Sequence, residues 1–65
     1  MKLTINGEPR ETEAATLADL LTAEGLSAAR VATALNGRFV PAGDRDGAAL
    51  SPGDAVEIVA PMQGG

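Results

Sequence analysis

A chain of 65 residues with no cysteine and no histidine has few places to do chemistry. The commonest reactive nucleophile and the commonest general base are both missing, and its serines and threonines have no activating partner in the sequence. A stand-alone enzyme is therefore not expected. Three acids, Asp44, Asp46 and Asp54, fall in turn-forming stretches. Their spacing lacks the EF-hand order, and aspartate favours turns for its own reasons, so no metal site is expected there. What remains is the final dipeptide, Gly64-Gly65. Neither residue has a Cβ, so the backbone can approach another surface closely and adopt angles closed to other residues. The reactive group such an end presents is a free carboxylate.

Composition narrows the setting. Apolar residues make up 45% of the chain and charged residues 22%, a balance that folds into one small domain. At this length the core must be thin, and without cysteine or histidine neither disulfides nor a zinc site can brace it. The net charge of −4 and the single aromatic residue, Phe39, argue against nucleic acid: phosphates are repelled and bases find no stacking platform. No apolar run reaches the roughly 20 residues of a membrane helix and no signal-peptide pattern opens the chain, so a cytoplasmic location is expected.

The elements that must carry the tail follow from local signals. Residues 2–5 alternate polar and apolar, as a half-buried strand does, and Asn6-Gly7 is a two-residue hairpin signal. A polar return strand is expected over 10–13, with Pro9 at its start suiting a sheet edge. Thr16 reads as a helix N-cap with Asp19 three residues on, and Leu17, Leu20 and Leu21 share one face of a helix over 17–24. Gly25 suits its left-handed end, with Leu26 folding back on the apolar face. Residues 31–35 alternate again, with Val31, Thr33 and Leu35 on one side. Asn36-Gly37 is a second turn and leads into a short extended piece over 38–41. Residues 43–47 read as loop with a tight turn at Asp46-Gly47, Leu50 as a core plug, and Ser51-Pro52-Gly53-Asp54 as a type II turn. The last strand is expected over 56–60, Val56 and Ile58 inward and Glu57 and Val59 outward, ended by Pro61. The first and last strands are the most apolar and are placed side by side at the centre of the sheet.

This order is α+β: a mixed four- to five-stranded sheet with one helix packed on one face, the β-grasp or ubiquitin-like arrangement. Its details resemble one family. Thr16-Leu17-Ala18-Asp19-Leu20-Leu21 is similar to the helix start of ThiS, the sulfur carrier family of thiamine biosynthesis. Ala34-Leu35-Asn36-Gly37-Arg38-Phe39-Val40-Pro41 is similar to the family's turn, apolar pair and proline. The run from Leu50 to Ile58 resembles the approach to its last strand, although non-carrier modules such as TGS domains share that run. Met62-Gln63-Gly64-Gly65 is the ending the family shows. The chain departs from the pattern in its polar edge strand and in Thr33, where the family commonly has an aliphatic residue.

The resemblance implies a role for the tail. Residues 1–61 would form the β-grasp domain and residues 62–65 a flexible tail ending in Gly-Gly. A carboxylate is a poor electrophile at neutral pH, so sulfur could be accepted only after activation, as in an acyl-adenylate. By resemblance, an E1-like adenylyltransferase (ThiF-like) activates Gly65 with ATP and Mg²⁺, and a sulfurtransferase system supplies sulfur. A thiazole synthase (ThiG-like) then consumes the resulting thiocarboxylate. The chain itself would bind no cofactor. Met62, Gln63 and Gly64 would thread the partner's active site; fully extended, residues 62–65 span about 13 Å at about 3.3 Å per residue. Val59 and Phe39 are candidate docking residues on the helix-free face. The alternatives are a carrier for molybdopterin synthase or another sulfur pathway, a TGS-like binding module that is never acylated, and a ubiquitin-like modifier joined to lysines.

Overall fold

The computed structural model describes residues 1–26 and 30–60. Five strands and one helix follow in the order β1 (Lys2–Ile5), β2 (Glu8–Glu11), α1 (Leu17–Ala23), β3 (Ala32–Leu35), β4 (Arg38–Val40) and β5 (Ala55–Val59). A 3-10 helix, Ala42–Gly47, lies between β4 and β5. The sheet order is β2-β1-β5-β3-β4. β1 and β5 run parallel; the other pairings are antiparallel. The expected mixed sheet thus has five strands, with β1 and β5 adjacent and β5 at its centre.

Both hairpins turn through Asn-Gly pairs in the left-handed region: Asn6 and Gly7 have φ of 53° and 84°, Asn36 and Gly37 of 52° and 84°. These angles match the right-handed twist of the strands they join. A turn this tight returns the chain at once, so Glu8 pairs with Ile5 and β2 begins two residues earlier than the 10–13 expected from polarity. Pro9 lies inside the edge strand, opposite Thr4. Met1 and Thr12 exchange both backbone bonds, at 2.8 and 2.9 Å. Alternation along the ladder makes Thr4 and Pro9 a non-bonded pair, where a missing N–H costs nothing.

The Thr16 hydroxyl accepts from the Asp19 N–H at 3.1 Å, capping α1. At the other end Leu26 donates to the Leu21 carbonyl and Gly25, at φ 74°, donates to Thr22, the paired bonds of a Schellman motif. Seven residues cannot hold a helix alone, so packing decides its stability. Leu17, Leu20 and Leu21 are all essentially sealed from solvent and meet Leu3, Ile5, Leu50, Val56 and Ile58 in one cluster. Each large aliphatic side chain buried this way contributes roughly 1.5–3 kcal/mol. Leu50 does plug the core, held by backbone bonds from Leu50 N–H to Ala15 and from Leu17 N–H to Ala48.

Two segments differ from the sequence expectation. β5 is Ala55–Val59, so pairing starts and ends one residue before the expected 56–60. The stretch expected as a loop with a tight Asp46-Gly47 turn is the 3-10 helix, and its Arg45 is only 3% exposed. Arg45 Nε donates to the Thr33 hydroxyl at 2.9 Å, and its Nη2 donates to the Val31 carbonyl at 2.6 Å. The guanidinium thereby ties this segment to the start of β3, which a solvated loop could not do.

Candidate helix-free face and the exit of the carboxy-terminal strand

Strand alternation assigns every side chain to one face of the sheet. Leu3, Ile5, Thr33, Val56 and Ile58 turn to the helix, and Glu57 and Val59 turn away, as expected. The register shows which outward residues are neighbours. Val59 lies opposite Ala32, Ala34 lies between Glu57 and Phe39, and opposed residues in an antiparallel pair share a face. Val59 and Phe39, 61% and 70% exposed, therefore stand at two ends of one apolar strip bridged by Ala32 and Ala34. The two small alanines leave the strip open and flat between its larger ends. Glu57, opposite Ala34 on the same face, gives it a charged border.

The strip lies beside the place where the chain leaves the sheet. Val59 is the last residue of β5, and Ala60 follows it. Met62, Gln63, Gly64 and Gly65, the residues expected to form the reactive tail, lie outside the described residues. What the fold does define is the base from which they depart. On the β3 side, Val59 is paired with Ala32. On the β1 side, the Asn6 carboxamide takes the end of the strand. Its Oδ1 accepts from the Ile58 N–H at 2.9 Å and its Nδ2 donates to the Ile58 carbonyl at 3.0 Å.

Asn36 does the equivalent at the other end of β5. Its Oδ1 accepts from the Ala55 N–H at 2.9 Å, and its Nδ2 donates to the Asp54 carboxylate at 3.0 Å. Asp54 also accepts from the Ser51 N–H at 2.8 Å, so this acid closes a turn. Among the described residues no group of three acidic side chains is arranged to hold a metal ion. Among the described residues, those lining a surface hollow of 340 Å³ beside β4, including Pro41, Asp44 and Ala48, carry no hydroxyl. Sequence reasoning read Asn6 and Asn36 only as turn formers and missed their side-chain bonds to β5. The available signal was the choice of asparagine at both turns, where glycine or aspartate would also turn the chain.

The family model of ThiS matches residues 3–65, from the first core leucine to the final glycine. The chain belongs to the ThiS family. It is 46% identical to the sulfur carrier protein ThiS of Thermus thermophilus, over 94% of this chain and 95% of that one. The crystal structure of the thiamine biosynthesis protein ThiS from Geobacter metallireducens superposes with a TM-score of 0.84 at 35% identity, each chain fully covered. A solution structure of a thiamine biosynthesis protein from the same organism gives 0.83 at 35% identity, covering all of this chain and 88% of that one. The chain thus shares the ThiS β-grasp fold, including its central strand β5.

Proposed function

We infer that this chain is a sulfur carrier of thiamine biosynthesis, a protein co-substrate acted on by partner enzymes. The observation that carries the reading is the ThiS family match running through Gly65, on a chain whose only distinctive chemical feature is that glycine end. In this reading an E1-like adenylyltransferase (ThiF-like) uses ATP and Mg²⁺ to convert the Gly65 carboxylate to an acyl-adenylate, releasing pyrophosphate. A persulfide of a sulfurtransferase system attacks the acyl carbon and displaces AMP. A thiol reductant cleaves the resulting acyl disulfide, and the thiocarboxylate left at Gly65 donates its sulfur to a thiazole synthase (ThiG-like). The chain holds no cofactor of its own. With no cysteine present, no side chain can carry the sulfur as a persulfide, so the terminal carboxyl is its only seat.

In this reading the chain divides its labour. Residues 1–61 act as a handle and residues 62–65 as a narrow tail that threads the partner's active site, Gly64 and Gly65 leaving the least bulk where the channel is tightest. The strip of Val59, Ala32, Ala34 and Phe39 docks on the partner, because it is apolar, exposed and next to the tail's point of departure. The test is intact-mass analysis after incubation with a ThiF-like adenylyltransferase, ATP and a sulfur donor. The expected product has one oxygen replaced by sulfur at Gly65. A chain that is never adenylated and keeps its mass is a binding module of the TGS kind instead.

A further inference from the structure

The backbone of β1 stops supporting β5 before β5 ends. Thr4 donates to Asp54 at 3.0 Å and Asn6 donates to Val56 at 2.8 Å, the evenly spaced bonds of a parallel pair. The next contact in that series would reach Ile58, but at Asn6 the chain turns away with φ 53°. The Asn6 side chain takes over. A carboxamide has the same donor and acceptor as a peptide group, and here it meets both polar backbone groups of Ile58, at 2.9 and 3.0 Å. The side chain acts as one more rung of the β1–β5 ladder, 52 residues away in sequence. It is the last hold on the β1 side before Val59 and Ala60.

We propose that Asn6 is a positioning residue for the end of β5, its carboxamide fixing Ile58 and with it the placement of Val59 and Ala60. This rests on the sulfur carrier reading for its use but not for its geometry. A tail that must enter a partner's site while the body docks by an adjacent strip gains from a fixed point of departure. Val59 belongs to both: its side chain to the strip, its backbone to the segment Asn6 holds.

Asn6→Gly removes the carboxamide and keeps a residue that accepts φ near 53°. Asn36→Gly is the control, because it removes one bond to the Ala55 backbone and one to the Asp54 carboxylate at the opposite end of β5, from an Asn-Gly turn of the same backbone geometry. With Asn6→Gly, the Ile58 amide should exchange its hydrogen about tenfold faster, and backbone order parameters at Val59 and Ala60 should fall. The KM for the carrier in ATP-dependent pyrophosphate release by the adenylyltransferase should rise several-fold. Asn36→Gly should lower the melting temperature by a similar amount yet leave Val59 order and KM at wild-type values. Equal rises in KM for both variants would reduce Asn6 to a stability residue, and unchanged Val59 order in Asn6→Gly would overturn the proposal. If the wild-type chain is not adenylated at all, the carrier reading fails. The order parameters then still decide the role of Asn6.

Discussion

The Thr33 hydroxyl stands between the Arg45 guanidinium and the Val40 carbonyl, accepting from Arg45 Nε at 2.9 Å and donating to Val40 at 2.9 Å. Thr33 is 2% exposed and Arg45 3%, so both lie away from water. Buried polar groups of this kind are tolerated only when they find partners. The threonine at position 33 thus has a structural reason: here a hydroxyl is needed where a methyl would only fill the same space.

Thr33→Val should therefore cost about 1–3 kcal/mol despite conserving volume, because Arg45 Nε loses its acceptor and the Val40 carbonyl loses a donor. Pairing it with Arg45→Leu should recover part of that loss, since it removes the buried guanidinium that Thr33→Val leaves short of an acceptor, although the Val31 carbonyl then gives up its Nη2 donor. Chemical denaturation of the two single variants and the double variant measures the coupling. Simple addition of the two single effects would mean that the residues are energetically independent.

Ile58 lies on the inward face of β5, 9% exposed and part of the core cluster. Ile58→Asp places a carboxylate among aliphatic side chains, at a cost of several kcal/mol. A domain of this length has about 3–10 kcal/mol of stability in all, so the variant should be largely unfolded by circular dichroism. A wild-type melting curve would show that the inward face has been assigned wrongly.

One residue further on, the outcome should reverse. Val59→Arg alters an exposed side chain and should shift stability by no more than about 0.5 kcal/mol. Its association with the adenylyltransferase should weaken on the order of tenfold, as truncation or blocking of an apolar contact residue does. Phe39→Arg probes the other end of the strip. Titration calorimetry against the partner, with melting curves as the control, separates the two effects, and undiminished binding removes the residue from the interface.

The reactive end is tested by lengthening it. One residue added after Gly65 should abolish sulfur incorporation, because in the proposed carrier reading the group that reacts is the terminal carboxylate. Gly64→Leu should nearly do so by obstructing the channel with a side chain. Both variants should fold normally, because each keeps every residue of the described core cluster. Mass analysis of the product reads the loss directly, and sulfur retained at full yield by the extended chain cannot be reconciled with a terminal thiocarboxylate.

What the sequence made legible was whatever depends on near neighbours. The two Asn-Gly turns, the Thr16 cap, the Gly25 helix end and the leucine triplet are all set within four or five residues, and each forms as read. Arg45 was illegible because a charged residue in a run of Gly, Ala and Asp looks solvated, and the acceptor that draws it inward is 12 positions away. The candidate site divides the same way. Period-two alternation marks Val59 as outward, but only the register reveals that Ala32 and Ala34 join it to Phe39. Asn6 announces a turn, and nothing local announces its second partner at Ile58.

Placing the last strand at the centre of the sheet also governs how the molecule comes to be folded. Each hairpin closes over a two-residue turn and can form from contacts close in sequence. Neither hairpin is bonded to the other: β1 and β3 are joined only through β5. Assembly therefore waits for a strand whose partners on the β1 side lie about 50 residues back along the chain, an entropically expensive closure that slows folding. Until β5 arrives, the two hairpins expose the inner edges it will occupy, and its insertion completes the sheet and the core in one cooperative step.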